Sequence, residues 1–90
     1  MESYFVYILK CADGTLYVGS TNNLERRLKQ HNGAKTGAHY TKIRRPVSIA
    51  YREQVLNLSL ALKREHEIKS LSRARKLELI RLGLSTLRQL

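Results

Sequence analysis

Two short runs of β-forming residues around an Asp-Gly pair constrain this chain more than any other feature. Tyr4 to Cys11 and Leu16 to Gly19 are rich in β-branched and aromatic residues, and they flank Asp13-Gly14. Asp-Gly between two such runs is a strong short-range signal for a β-hairpin. The chain is therefore predicted to begin with two antiparallel strands.

The length of the hairpin loop decides which side chains share a face, because a slip of one residue turns a side chain to the other face. A two-residue loop at Asp13-Gly14 would place Tyr7 and Tyr17 on opposite faces of the sheet. A three-residue loop, with Gly14 in the left-handed conformation, pairs Tyr7 with Gly19 and puts both tyrosines on one face. We predict the three-residue loop, with open space left by Gly19 in front of the Tyr7 ring.

A helix is predicted directly after the hairpin, where Ser20-Thr21-Asn22 supplies hydroxyl and amide caps and Glu25 follows Asn22 at a spacing close to that of a capping box. Arg27 and His31 then share one face of this helix with Leu24 and Leu28. An arginine on an apolar stripe costs desolvation free energy unless an anion meets it. A substrate is one candidate for that anion.

The two predicted strands carry the motifs Val6-Tyr7-Ile8 and Tyr17-Val18-Gly19, with the two tyrosines ten residues apart. Arg27 follows ten residues after the second tyrosine, and His31 comes one helical turn later. With Glu65 in the second half of the chain, this ordered set resembles the GIY-YIG nuclease domain, which is named after the two strand motifs. The resemblance is strongest to small stand-alone bacterial members and covers nearly the whole chain.

The rest of the chain predicts one more strand and two more helices. These are a strand from Val47 to Glu53, a helix from Asn57 or Ser59 to about Leu71, and a helix from Ser72 to Leu82 that Gly83 ends. The expected fold class is α/β (α+β), a small three-stranded antiparallel sheet flanked by about three helices in the order β-β-α-β-α-α. We expect a single domain over residues 1–83 and a tail over residues 84–90 with at most one helical turn.

Apolar spacing in these elements predicts which side chains point inward. Alternation in the third strand predicts one core face with Val47, Ile49 and Tyr51. Helical spacing predicts an inward stripe on the second helix, made up of Leu58, Ala61, Leu62, Glu65, Ile68 and Leu71 or Ser72. On the last helix it predicts that Leu77, Ile80 and Leu84 point inward.

Glu65 interrupts the apolar stripe of the second predicted helix. A carboxylate on a buried side is costly without a cation, a hydrogen bond or a metal. One interpretation is an ion pair with Arg27 or a nearby lysine. The resemblance implies another, in which Glu65 is the ligand of one divalent metal, Mg²⁺ or Mn²⁺. Glu67 lies outside the stripe and is expected to be an ordinary surface acid.

The resemblance also implies an activity, the hydrolysis of phosphodiester bonds in DNA. The expected substrate is structured, nicked or damaged DNA, and the expected role is in DNA repair. The implied catalytic residues are Tyr7, Tyr17, Arg27, His31 and Glu65. In this scheme Glu65 and waters hold the metal at the scissile phosphate, and Arg27 neutralises developing charge. One tyrosine acts as the general base or relays to it, the other orients the water, and His31 hydrogen bonds to a tyrosine.

Positive charge is concentrated in the second part of the chain. The net charge is +10, and residues 1–33 carry four cations against three acids, so residues 34–90 hold +9 of it. Such an excess favours polyanions through counterion release. The candidate nucleic-acid-binding residues are Lys35, His39, Lys42, Arg44, Arg45, Lys69, Arg73 and Lys76.

Other function classes remain open on the sequence. A non-catalytic basic module that binds nucleic acid would keep the fold and the charge, and RNA is a candidate partner beside DNA. A protein partner for targeting is compatible with a domain of this size. No stretch approaches 18 apolar residues and the start lacks a signal-peptide pattern, which predicts a cytoplasmic protein without a membrane partner. The single cysteine, Cys11, cannot form an internal disulfide and is expected in the core.

Overall fold

The structure, a computed structural model, describes residues 3–33 and 44–89, and the side chains up to residue 83. These residues form β1 (Tyr4–Cys11), β2 (Leu16–Thr21), α1 (Leu24–Asn32), β3 (Val47–Val55), α2 (Leu58–Lys69) and α3 (Arg73–Gln89). The strands form one antiparallel sheet in the order β2-β1-β3. The predicted fold class and order of elements are confirmed.

The hairpin between β1 and β2 has the predicted three-residue loop. Tyr7 pairs with Gly19 and Leu9 pairs with Tyr17. Gly14 has a φ of +85°, and its N–H donates to the Cys11 carbonyl at 2.9 Å. Glycine is needed here because an L side chain is strained at this positive φ. The loop therefore sets the register that brings the two tyrosines to one face.

The central strand β1 is buried on both faces. On one face Val6 and Ile8 pack with Val18 and with two residues of α2, Ala61 and Ile68. On the other face lies a second cluster, against which Tyr17 and the leucines of α1 pack; its buried members are Tyr7, Leu9, Cys11 and Val47. Because α1 and α2 cover opposite faces, side chains from these two helices can meet only at an edge of the sheet.

Strand β3 contains a bulge that the sequence pattern did not reveal. Ile8 pairs with Tyr51 while Leu9 pairs with Ile49, so Ala50 is an extra residue on β3. The bulge turns Tyr51 to the face of Ile8 and leaves Ile49 on the face of Leu9. The prediction of one alternating core face was therefore wrong, and the strand also runs to Val55 rather than Glu53.

Asparagine side chains cap the first two helices. Asn23, the residue after the predicted Ser20-Thr21-Asn22 caps, accepts from the Arg26 N–H at 3.0 Å at the start of α1. Asn57 accepts from the Leu60 N–H at 2.9 Å at the start of α2, as the sequence allowed.

Helix α2 presents a narrower face to the sheet than predicted. Ala61 and Ile68 are fully buried, whereas Leu58 is 50% exposed and Leu62 is 54% exposed. The inward prediction is confirmed for Ala61 and Ile68 and was wrong for Leu58 and Leu62, because the buried stripe runs through positions 61 and 68.

Helix α3 continues past the residue that was predicted to end it. The Ser72 hydroxyl accepts from the Arg75 N–H at 3.2 Å, and the helix then runs through Gly83 to Gln89. A Cβ on Gly83 would lie 2.8 Å from the Tyr51 ring, so glycine permits close packing of α3 on β3. The predicted stop at Gly83 was therefore wrong.

The inward residues of α3 also differ from the prediction. Ile80 packs against the core as predicted, whereas Leu77 is 43% exposed and Leu79 packs inward instead. Leu84 lies outside the described side chains. None of the helices in the described part of the chain is both long and apolar enough to cross a membrane.

Candidate active site

Two tyrosines and a buried histidine form the centre of the candidate site. The hydroxyl of Tyr7 lies 3.1 Å from Nε2 of His31. The His31 ring meets both phenol rings edge to face, with centroids 6.1 Å from Tyr7 and 5.1 Å from Tyr17. His31 is fully buried and Tyr7 is 2% exposed. The hairpin register and the helical spacing of α1 therefore bring these three rings together.

Gly19 lies directly beneath the Tyr7 phenol. A Cβ at Gly19 would be only 2.5 Å from the Tyr7 hydroxyl oxygen. The space predicted in front of Tyr7 is thus filled by its own phenol. A glycine at this position lets the hydroxyl reach His31.

Burial sets the protonation state of this pair. The pKa of His31 falls from 6.5 to about 4, first because burial disfavours the imidazolium and then because Arg27 and Arg45 are positive. Burial also raises the pKa of Tyr7, against the opposing effect of the Arg27 guanidinium. A neutral imidazole therefore faces a protonated phenol at neutral pH, and Tyr7 can donate to an unprotonated Nε2.

Hydrogen bonds to backbone atoms fix the end of α1 that carries His31. The Asn32 amide donates to the Val47 carbonyl at 2.9 Å and accepts from the Val47 N–H at 2.7 Å. The Arg45 guanidinium donates to the carbonyls of His31 and Gln30. These contacts tie the helix end to the start of β3 and so position the imidazole.

Arg27 is a cation that acts electrostatically on both the Tyr7 phenol and the His31 imidazole. It is partly buried, and its Nη1 donates to Oε1 of Gln30 at 3.0 Å. Its charge lowers the pKa of both Tyr7 and His31. An anion entering the site would therefore meet a guanidinium already placed beside the tyrosine.

Both oxygens of the Glu65 carboxylate have partners. Oε1 accepts from the Ser20 hydroxyl at 2.6 Å, and Oε2 lies 2.7 Å from the Lys69 ammonium. Burial acts to raise the pKa of Glu65, but Lys69 and Ser20 outweigh it and hold the pKa below its usual range. The ion pair with a nearby lysine is thus present. Glu67 is a surface acid as expected, 3.7 Å from Arg64.

Glu65 is bound to β2, the edge strand that pairs with the strand of Tyr7. Ser20, which binds Glu65, pairs with Val6 and shares the α2 face, while its neighbour Gly19 lies under Tyr7 on the α1 face. The charge of Glu65 is close enough to raise the pKa of Tyr7. The residues predicted to be catalytic therefore come from both faces of the sheet. Tyr7, Tyr17, Arg27 and His31 lie on the α1 face, and Glu65, on the α2 side, acts on Tyr7 through its charge.

Glu65 fits a metal that takes few protein ligands. The described residues contain no group of three or more His, Cys, Asp or Glu side chains arranged to hold a metal. Mg²⁺ is commonly held by one or two carboxylates, with waters and substrate phosphates completing its coordination. Glu65 can supply that carboxylate once the Lys69 ammonium leaves Oε2, and the Lys69 side chain is 53% exposed.

The candidate nucleic-acid-binding residues fall into two groups. Lys35, His39 and Lys42 lie outside the described residues. Of the rest, Arg44 lies 3.1 Å from Asp13, and Arg73 donates to the Gly14 carbonyl at 3.0 Å, so both contact the hairpin loop.

Arg45, Lys69 and Lys76 complete the second group. Arg45 binds the end of α1, Lys69 binds Glu65, and Lys76 is partly exposed on α3. Nucleic-acid binding by all eight stays a prediction.

Ser20 and Asn32 are site residues that sequence reasoning did not assign. Ser20 could have been found, because the predicted register places it opposite Val6, on the face away from the tyrosines. Asn32 carries no such signal, since its partner is the backbone of Val47, fifteen residues later.

Comparison with known proteins gives a consistent result. The family model described as the GIY-YIG catalytic domain matches residues 3–78. A UPF0213 protein of Syntrophus aciditrophicus is 56% identical over 81 residues, which are 90% of this chain and 93% of that protein. A UPF0213 protein of Staphylococcus saprophyticus is 51% identical over 83 residues, which are 92% of this chain and 100% of that protein.

Solved structures are similar as well. The solution NMR structure of a UPF0213 protein from Bacillus halodurans has a TM-score of 0.58 at 38% identity and covers 90% of this chain and 86% of that chain. The solution NMR structure of a protein from E. faecalis has a TM-score of 0.61, also at 38% identity, and covers 100% of this chain and 94% of that chain.

Proposed function

Because the chain belongs to the GIY-YIG family, a family of nucleases, we propose that it is an endonuclease that cleaves DNA with the help of one divalent metal, Mg²⁺ or Mn²⁺. The observation that supports this most is the 3.1 Å contact between the Tyr7 hydroxyl and Nε2 of His31, with Arg27 and Glu65 both close enough to act on the pKa of Tyr7. Structured, nicked or damaged DNA is the proposed substrate. A cytoplasmic location and a targeting partner remain predictions.

Proton transfer in the proposed reaction passes through Tyr7 and His31. An isolated phenol has a pKa near 10, and burial raises that of Tyr7 further, so a standing phenolate is disfavoured. Tyr7 can instead take the proton of the attacking water while its own proton passes to Nε2 of neutral His31, 3.1 Å away. No free phenolate is then required.

Positive charge in the site acts on the phosphate. The Arg27 guanidinium, beside Tyr7, stabilises charge that develops on the phosphate oxygens. Glu65 would hold the divalent metal, which supplies further Lewis-acid stabilisation of the phosphate and the leaving oxygen. Ser20 orients the carboxylate through its hydrogen bond at 2.6 Å.

A cleavage assay tests the proposal. The purified protein is incubated with branched, nicked and single-stranded DNA, with Mg²⁺, with Mn²⁺ and with a chelator. We expect metal-dependent cleavage that falls by roughly a hundredfold or more in Glu65→Gln and in Arg27→Ala. Glu67→Gln is the matched control, because it removes a surface carboxylate two residues from Glu65 and should leave the rate unchanged. Full activity of Glu65→Gln would contradict the proposal.

A second candidate is a basic module that binds nucleic acid without cleaving it. Its support is the complete pairing of Glu65 with Ser20 and Lys69, an arrangement that is stable without a metal. Tight, salt-sensitive binding with no cleavage under either metal would favour this module. Competition between DNA and RNA of the same sequence would then identify its ligand.

A further inference from the structure

Part of the sheet face that carries the tyrosines extends beyond the core under α1. Tyr7 pairs with Gly19 of β2 and with Arg52 of β3. Two residues earlier on β1, Phe5 pairs with Thr21 of β2 and with Gln54 of β3. Directly paired residues in an antiparallel sheet share a face. Arg52 and Gln54 are exposed. We call the surface formed by Phe5, Thr21, Arg52 and Gln54 the open face.

Phe5 differs from the other large apolar residues of β1. Its side chain is partly buried, and it is a member of neither core cluster. The neighbouring residues on the same strand face, Tyr7 and Leu9, are both buried. An aromatic ring on an exposed part of a sheet, flanked by polar residues, offers a surface on which a planar group can stack.

Arg52 supplies a cation beside this ring. No carboxylate in the described part of the chain lies within salt-bridge distance of Arg52, whereas Arg64, on the other side of the sheet, lies 2.8 Å from Glu53. Arg52 is directly opposite Tyr7 and on the same face. An anion bound by Arg52 would therefore lie on the same sheet face as Tyr7, one strand away from it.

We infer that the open face binds an unpaired nucleotide adjacent to the phosphate that is cleaved, with its base stacked on Phe5 and its phosphate at Arg52. Stacking on an aromatic side chain tolerates every base, but it needs a base whose face is free, as in single strands, flaps and nicks. Residues two apart on a strand are separated by about 7 Å, so the base would lie close to Tyr7. The statement that the bound nucleotide lies beside the cleaved phosphate rests on the proposed function. The statement that the open face binds an unpaired nucleotide does not.

Binding is measured on the full chain in chelator, so that cleavage plays no part. The probes are a labelled single strand of about ten nucleotides, comparable to known single-strand site sizes, and the blunt duplex of the same sequence. We expect Phe5→Leu to weaken binding of the single strand by about tenfold and to change duplex binding by less than about twofold. Phe5→Tyr, which keeps an aromatic ring, should bind the single strand like the wild type.

Arg52→Gln tests the second part of the open face. It should weaken binding of the single strand severalfold and reduce the slope of log K against log salt by about one. Lys63→Gln is the matched control, because Lys63 is an exposed cation on α2, at the opposite face of the sheet. Equal effects of Arg52→Gln and Lys63→Gln would overturn the inference.

Backbone NMR titration of the wild-type protein with the single strand gives a result even if Phe5→Leu fails to fold. Shift changes concentrated on the open face support the inference, and changes confined to α2 and α3 overturn it. If no DNA is cleaved but Phe5→Leu weakens binding, the nuclease proposal fails and the open face stands. If cleavage depends on Glu65 but folded Phe5→Leu binds the single strand like the wild type, the nuclease proposal stands and the open-face inference fails.

Discussion

Gly19 determines whether the Tyr7 phenol can reach its partner. In Gly19→Ala the new methyl group would lie 2.5 Å from the Tyr7 hydroxyl, so the ring must move and its hydrogen bond to His31 is lost. We expect a loss of about 1–3 kcal/mol in the free energy of unfolding, measured by urea denaturation. Gly33→Ala is the control, because the nearest atom to its Cβ would be 3.8 Å away. Equal stability of the two variants would contradict this prediction.

The buried His31 should make the protein less stable in mild acid. Its pKa is about 4 in the folded chain and near 6.5 in the unfolded chain. Between these values the unfolded chain binds a proton that the native protein does not, so the free energy of unfolding falls as the pH falls. We expect the free energy of unfolding to fall by about 1 kcal/mol for each pH unit below about 6.5. Urea denaturation at several pH values measures this loss.

Two variants isolate this contribution. His31→Gln removes the titrating imidazole and should flatten the pH dependence of stability between about pH 6.5 and about pH 4. His66→Gln changes an exposed histidine on α2 and should retain the wild-type dependence. A dependence that survives in His31→Gln would assign the effect to other groups.

The rings of the site could be predicted from the sequence because each depends on local rules. Gly14 fixes the loop length, the loop fixes the faces of Tyr7 and Tyr17, and a helical turn separates Arg27 from His31. The role of Lys69 was harder to predict, because a lysine four residues after a glutamate on a helix also fits a solvated surface pair. Only the packing of α2 on the sheet shows that this pair lies beside Ser20.

At the level of elements, the sequence misled where tertiary packing overrides a local pattern. Alternation in β3 predicts one face, but the bulge at Ala50 divides the strand between the two cores. Glycine is common at helix C-termini, so Gly83 was predicted to end the helix. A glycine inside a helix, however, costs only about 1 kcal/mol. That cost is tolerated because close packing of α3 on Tyr51 requires a residue without a side chain.

The connection between α1 and β3 depends on Asn32. Asn32→Ala removes both hydrogen bonds to Val47 and leaves the carbonyl and N–H of a buried residue without their partner. We expect a loss of about 1–3 kcal/mol in the free energy of unfolding by urea denaturation, with altered NMR signals for the His31 ring.

Asn22 provides the control for this connection. It is exposed in the turn before α1, and Asn22→Ala should change stability by less than about 0.5 kcal/mol. If Asn32→Ala is no more destabilising than Asn22→Ala, the two hydrogen bonds do not hold the helix end.

At the scale of the whole molecule, one sheet with helices on both faces draws on residues from distant parts of the chain. Arg27 and His31 come from α1 on one face, and Glu65 comes from α2 on the other. Strand β2 links the two sides, because Gly19 lies beside the Tyr7 phenol on one face and Ser20 binds Glu65 on the other. A chain of 90 residues has room for one small sheet with a cluster on each face, and the candidate site draws its side chains from both sides of that sheet.

The uneven charge of the molecule predicts where nucleic acid contacts it. Residues 34–90 carry +9 of the net +10, so phosphate contacts should come mainly from this part. Lys76→Gln should weaken DNA binding and reduce the slope of log K against log salt by about one, measured by fluorescence anisotropy at several salt concentrations. Lys29→Gln is the control, because Lys29 belongs to the nearly neutral first part and lies 3.8 Å from Glu25. If both variants change the slope equally, the contact surface is not set by the distribution of charge along the chain.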